Sequence, residues 1–262
     1  MTTFVSALLT NINGYRSIEK YVEYGKKLIA LPINKVIFVE RAVHTEHFSE
    51  FTDANTTFVF IEKSDLYLYK YADQITDFCP NTDNPEKDTL EYMFVQCNKT
   101  EWVKDVVKRN LYGSNYFVWI DFGIWHMIRD DQVFTDSCMK IASLGLSVAS
   151  LGVRIACGNP CVEHFDEMYK TISWFFLGSI FGGDRDSLLK FANLVKNKCI
   201  QTIQEHRTLM WEINVWQMVY REDPTLFLCY GANHDASILQ NWCWGKLTHF
   251  GKSLSAAKIN KH

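Results

Sequence analysis

The sequence predicts an α/β fold: one domain built on a mostly parallel central sheet flanked by helices. Three observations carry this. Strand-like and helix-like segments alternate from the first residues, as a parallel sheet with crossover helices requires. Several strand segments are apolar without alternation, the pattern of strands covered on both faces. No internal repeat or linker divides the 262 residues, which are enough to bury one large core.

Taken in order, Phe4–Leu9 is a short apolar run and the first strand. Asn11–Gly14 is turn chemistry. Ile18, Tyr21, Val22, Leu28 and Ile29 follow helical spacing, and Leu31-Pro32 stops that helix. Lys35–Val39 and Thr57–Ile61 complete a β-α-β unit with a further strand. Cys79–Asp88 is polar, contains two prolines and predicts a surface loop. Thr100 is placed to cap a helix carrying Trp102, Val103, Val106 and Val107. Tyr116–Ile120, Leu151–Ala156 and Ile172–Leu177 are the next strands. Asp184 caps a long helix with Leu188, Phe191, Ala192, Val195, Cys199 and Ile203 on one face. A helix from about Leu209 to Arg221 turns Trp211, Val215, Met218 and Val219 inward and ends before Pro224, and Leu226–Tyr230 is the last strand. The domain is expected to span residues 1–250, with a polar, basic tail over 251–262.

Composition narrows the function classes. Hydrophobic residues make up 47% and charged residues 22%, which excludes a disordered or collagen-like chain. A net charge of −3 gives no electrostatic footprint for nucleic acid. No apolar run approaches the ~20 residues of a membrane span, and the N-terminus lacks the basic region of a signal peptide, so a cytoplasmic protein is expected. The eight cysteines are expected to be free thiols, since a domain of this size needs no disulfide. Cys157-Gly-Asn-Pro-Cys161 with His164 has the wrong spacing for a zinc knuckle and no clear fourth ligand.

Four constellations can carry chemistry, each with a structural reading beside it. Asp121 follows the apolar run Tyr116–Ile120 and precedes Gly123 by two positions. In a parallel sheet that is the carboxyl end of a central strand, where ligands bind, and a carboxylate there suits a divalent cation; the plainer role is a cap on the next turn. Asp121-Phe-Gly123 lacks the glycine-rich and catalytic loops that a kinase would place before it. Gly182-Gly183-Asp184 suggests a strand–helix turn that a ligand can approach closely, or simply a tight turn with a cap. In Trp211-Glu-Ile-Asn-Val-Trp216 the two tryptophans cannot both face the core from one helix, so one of Trp211, Glu212 and Trp216 is expected at a groove, although Glu212 also suits a helix N-terminus. His234, in a Gly/Asn turn after the last strand, is a metal ligand, a phosphate donor or a surface residue. His44 and His47 are expected at the surface.

Together these segments resemble the HtrL/YibB-like family of bacterial and viral proteins, regarded as GT-A-type glycosyltransferases. The resemblance runs through Thr3-Phe-Val-Ser-Ala, Asn13-Gly-Tyr-Arg16-Ser, Tyr24-Gly-Lys-Lys-Leu, Lys35–Val39 and Gln96-Cys-Asn-Lys99-Thr-Glu-Trp102. It continues through Trp119-Ile-Asp121-Phe-Gly-Ile124, Gly182-Gly183-Asp184, Trp211–Trp216 and His234-Asp235.

The resemblance implies a GT-A-like (Rossmann-like) domain whose N-terminal half binds a nucleotide-sugar and whose C-terminal half binds the acceptor. It implies Mn²⁺ or Mg²⁺ on the donor diphosphate, with Asp121 similar to one carboxylate of the family's Asp-x-Asp motif and His234 completing the metal shell; the other acidic position of the motif is Gly123 here. Arg16, Gln96, Lys99 and Asp121 fall on the donor side. Gly182, Gly183 and Trp211 fall on the acceptor side. Glu212 and Asp184 are candidates for general base, nucleophile or acceptor partner, and Trp125, Trp211 and Trp216 for stacking. The activity implied is transfer of a sugar from a nucleotide-sugar, UDP-linked in the first instance, to a glycan or other hydroxyl acceptor; a nucleotidyltransferase or phosphohydrolase, and a glycan-binding protein on a degenerate transferase scaffold, are the alternatives.

Overall fold

The computed structural model describes residues 1–10, 12, 16–144, 151–159 and 167–244, with side chains to 242. In chain order the elements are β1 (Thr2–Leu8), α1 (Ile18–Ile29), β2 (Lys35–Val39), α2 (Arg41–His47), β3 (Thr56–Phe60), α3 (Leu90–Arg109), β4 (Tyr116–Ile120), α4 (Trp125–Ile128) and α5 (Asp131–Leu144). Then follow β5 (Val153–Cys157), β6 (Phe176–Asp184), α6 (Arg185–His206), α7 (Glu212–Glu222), β7 (Phe227–Gly231) and α8 (Ser237–Trp244). The strands form one sheet in the order β3-β2-β1-β4-β6-β5-β7. All run parallel except β6, which is antiparallel to both of its neighbours, β4 and β5.

Successive strand residues point to opposite faces, so the sheet feeds two cores. On one face Val5, Phe38, Phe117, Trp119 and Phe181 pack under α3, α6 and α7. On the other, Phe4, Ile37, Val118 and Ile180 pack under α1, α5 and α8. A row of rings crosses the first face. Phe38 stacks on Trp102, Trp102 lies 5.8 Å from Trp119 with planes 9° apart, and Trp119 stacks on Phe181.

Three elements depart from the sequence expectation. The helix assigned to begin at Thr100 begins at Leu90, capped by Thr89 Oγ1, which accepts from the Tyr92 N–H at 3.2 Å. Met93, Phe94 and Cys97 continue the apolar face of Trp102 and Val106 backwards, so Thr100 lies mid-helix and buried. The strand expected over Ile172–Leu177 starts at Phe176 and runs through both glycines to Asp184. Gly182 and Gly183 are therefore not a turn. A Cβ on Gly182 would lie 2.6 Å from the Phe117 carbonyl oxygen, and one on Gly183 2.7 Å from that of Gly152. The helix expected from Leu209 begins at Glu212, and Met218 is only half buried. Asp184 does cap α6, accepting from the Asp186 and Ser187 N–H groups, and the expected apolar face of that helix is buried.

Cys79, Cys97, Cys138, Cys157, Cys199 and Cys229 are free thiols, all buried except Cys79. Cys161 and His164 lie outside the described residues. No described helix is long and apolar enough to cross a membrane.

Candidate active site

The chain leaves β1 toward β2 and β3 on one side, then returns to place β4 on the other. Loops diverging from neighbouring strand ends open a crevice at such a switch point. Here it is a cavity of about 920 Å³, bounded by the ends of β1 and β4, the start of β6, α1, α2, α3, the first residues of α7 and His234.

Its floor is an ion cluster. Lys99 reaches from α3 and is buried. Its Nζ lies 2.9 Å from Asp121 Oδ1, 2.9 Å from Glu212 Oε1 and 3.0 Å from the Gly178 carbonyl oxygen. An ammonium has three N–H donors, and three oxygens face it. Burial alone would lower the Lys99 pKa, but Asp121 and Glu212 outweigh it and the net shift is upward. The Asp121 side chain is 34% exposed and that of Glu212 7%, so Asp121 is the carboxylate presented to a ligand.

The fold holds each member in place. Asp121 follows the buried strand β4; its backbone N–H donates to the Ser179 carbonyl, and Trp119 Nε1 donates to its Oδ1 at 2.8 Å. The Trp119 indole is itself fixed in the aromatic row. Glu212 is the first residue of α7, where its charge suits the helix dipole. It fits against β6 because residue 178 has no side chain: a Cβ there would lie within 2.2 Å of Glu212 Oε1. Next to it, Trp211 Nε1 donates to Asp88 Oδ1 at 3.1 Å. The buried Asn214 donates to the Met168 and Thr171 carbonyls and accepts from the Ser173 N–H, clamping the segment that leads to Trp174.

Trp174 has a φ of 52°, uncommon for a bulky residue. Its side chain lines the cavity, with the residue 40% exposed, and meets the His234 ring edge-on at 4.8 Å. Burial, with Lys87 and His126 nearby, holds the His234 pKa below the ordinary imidazole value, and burial does the same to His126. Tyr92 also lines the cavity. Burial, then the charges of Glu212 and Asp121, push its phenol well above the usual range.

Arg16, Gln96, Lys99, Asp121, Trp211, Glu212 and His234 all line this one cavity. Gly182, Gly183 and Asp184 do not. Ile120 pairs with Ile180 whereas Tyr116 pairs with Asp184, which puts Asp184 at the opposite end of the sheet, four strand residues or ~13 Å away. Its carboxylate caps α6 and accepts from the Gly152 N–H at 3.0 Å. Lys99, expected on the diphosphate, has its donors directed at protein oxygens. Of the tryptophans proposed for stacking, Trp125 lies outside the cavity lining, and Trp211 and Trp216 are both buried in the core, against the expectation that they could not be, because Trp211 precedes the first turn of α7 and is not bound to that helix's face. His47, expected at the surface, lines the cavity from α2.

The sequence reading missed Tyr92, Trp174 and Gly178. Tyr92, Gln96 and Lys99 share one helix face at i, i+4 and i+7, a signal hidden by starting that helix at Thr100. Gly178 carries the signal of an isolated strand glycine, which marks close approach of another group. Nothing in the local sequence marks Trp174.

The described residues do not make a metal centre of the expected kind. Among the described residues no three His, Cys, Asp or Glu side chains converge as a metal-binding group. Oδ1 of Asp121 already faces an ammonium and an indole N–H. At Gly123, the position of the second motif carboxylate, a Cβ would lie 3.1 Å from the Tyr21 ring and 3.7 Å from Arg16 Nη1.

Comparison with known proteins places this chain in a family. No curated protein sequence matches the chain. Among solved structures, mouse xyloside xylosyltransferase 1 in its apo form is similar at a TM-score of 0.45 and 11% identity, covering 86% of this chain and 83% of that one. A family model described as a bacterial protein of unknown function, HtrL_YibB, matches residues 9–239. The chain belongs to the HtrL_YibB family.

Proposed function

We propose that this protein is a glycosyltransferase that moves a sugar from a nucleotide-sugar, UDP-linked in the first instance, to a hydroxyl of a glycan or similar acceptor. The observation that carries the reading is the Asp121–Lys99–Glu212 cluster on the floor of the switch-point cavity. A fixed, partly exposed carboxylate beneath aromatic walls suits a hydroxyl nucleophile, and the volume suits a ligand of nucleotide-sugar size. The family resemblance read from the sequence supports the same chemistry.

In this reading the acceptor hydroxyl gives its proton to Asp121 as its oxygen bonds to the sugar's anomeric carbon. The bond from that carbon to the diphosphate breaks, and the electron pair leaves with the nucleoside diphosphate. Arg16, beside Tyr21 and Tyr24, supplies positive charge to the leaving group. Gln96 gives a neutral polar contact on the same wall. Trp174, 40% exposed in the cavity lining, is the ring available to stack on sugar, while Trp211 is only 3% exposed and backs the same wall from the core. Glu212 acts through Lys99, setting where Asp121 stands.

Thermal unfolding with UDP, GDP and CMP, each with and without Mn²⁺, tests the reading first. A nucleotide at a hundred times its Kd stabilises the fold by about 2.7 kcal/mol. The nucleotide that shifts the melt then selects the nucleotide-sugars assayed for release of nucleoside diphosphate. Absence of a shift with all of them, together with no donor turnover, overturns the proposal.

A further inference from the structure

We propose that the Lys99 ammonium is the resident cation of this cavity, occupying the place between Asp121 and Glu212 that a divalent ion would take, so that an anionic ligand binds here without a metal. The ligand's identity as a nucleoside diphosphate rests on the glycosyltransferase reading. The cation assignment rests on the oxygen set alone.

Three oxygens from three separate elements converge on one point: Asp121 Oδ1 after β4, Glu212 Oε1 at the start of α7 and the Gly178 carbonyl in β6, at 2.9, 2.9 and 3.0 Å from Nζ. Carboxylate and carbonyl oxygens are the donors that hard divalent cations take. Here a side chain of the same chain fills the position. Lys99 is held by more than charge, because its Nζ also lies 5.8 Å from the Trp119 ring centroid. Two carboxylates facing each other without it would carry two negative charges on the floor of a cavity meant for an anion. With it, the cluster carries one. The alternative place for a metal, beside Gly123, is occupied by the Tyr21 ring and Arg16.

The arrangement has a consequence that can be measured without any enzyme assay. Removing the ammonium leaves two carboxylates and a carbonyl around an opening. Closing those oxygens by about half an ångström reaches the 2.3–2.6 Å of calcium coordination. Lys99→Ala is therefore expected to gain a site for Ca²⁺ or Mn²⁺.

The experiment is calorimetric titration of Ca²⁺ and Mn²⁺ into wild type, Asp121→Asn, Lys99→Ala and Lys99→Ala/Asp121→Asn, with UDP melts of the wild type in chelator and in Mn²⁺. The expected result is ion binding at least about tenfold tighter in Lys99→Ala than in wild type, lost again in the double variant, and the same UDP shift with and without metal. Lys99→Gln, which keeps much of the stem and drops the charge, replaces Lys99→Ala if that variant does not fold. Ion uptake by the wild type that Asp121→Asn abolishes would overturn the inference. So would a UDP shift that requires Mn²⁺, or a folded Lys99 variant as inert to both ions as wild type. If UDP shifts nothing, the glycosyltransferase reading suffers while the ion titrations still decide this one.

Discussion

Gly178→Ala tests how tightly the floor of the cavity is built. The added Cβ would lie 2.2 Å from Glu212 Oε1 and 3.1 Å from Ile213 Cγ2. To reach an ordinary contact the carboxylate must retreat by about 1 Å, stretching its 2.9 Å bond to Lys99 beyond the ~3.2 Å limit of a good N–H···O bond. A hydrogen bond to a charged group contributes about 1.5–3 kcal/mol, and overpacking a filled core costs a further ~1–3 kcal/mol. Replacing glycine returns ~0.4–1 kcal/mol through the unfolded chain. The net destabilisation expected is roughly 2–5 kcal/mol, read as the shift of a urea-unfolding midpoint with unchanged slope. Donor turnover by the folded fraction should fall about a hundredfold, the effect of a ~1 Å misplacement passed from Glu212 through Lys99 to Asp121. Gly231→Ala is the control, because a Cβ there meets nothing within 4 Å. A Gly178→Ala protein within ~0.5 kcal/mol of wild type, with full turnover, would refute the account of Glu212.

Asp184→Ala should cost about 1–2 kcal/mol as a lost helix cap, with turnover per folded molecule unchanged; a larger loss of turnover than of stability would return Asp184 to the chemistry. Although burial raises its pKa, N–H donors from Ser187 and Gly152 hold Asp184 below the ordinary value of 3.8. Its contribution is thus present above that value and lost as pH falls through the folded pKa, and Asp184→Asn should flatten that acid limb of a stability titration. His126 and His234 are depressed by burial below 6.5. The unfolded chain then binds protons first, so stability should fall as pH drops below that value; His234→Asn should reduce the slope, and an unchanged slope would show that its burial matters little. Trp174→Ala should raise the acceptor KM by about 2–10-fold, the range of an aromatic contact worth ~0.5–1.5 kcal/mol, and an unchanged KM would remove Trp174 from the acceptor site.

The sequence made Asp121 readable because five apolar residues fix β4 and the next residue must lie at its end. Lys99 and Glu212 were each singled out, yet their pairing spans 113 positions, and no local pattern encodes a contact at that range. The adjacent glycines of 182–183 misled because such pairs usually mark turns. Here they let β6 press between β4 and β5, a demand that only the sheet order reveals. Asp184 was correctly placed as a cap, but its chemistry could not follow, because a strand's direction decides which end of the sheet its last residue reaches. Antiparallel β6 sends it away from Asp121.

That reversed strand also shapes how the chain is made. The four strands β3, β2, β1 and β4 are complete once residue 120 has been synthesised, but the partner that covers β4 lies about 60 residues further on, several seconds at ribosomal speed. β5 emerges first and cannot help, since it joins the sheet only through β6. Over that interval Tyr116–Ile120, buried along its length in the finished protein, stands as an open apolar edge of the kind that recruits other chains. Substitutions at Gly182 or Gly183 that hinder β6 from docking should therefore show themselves as aggregation during synthesis, well before any catalytic step is reached.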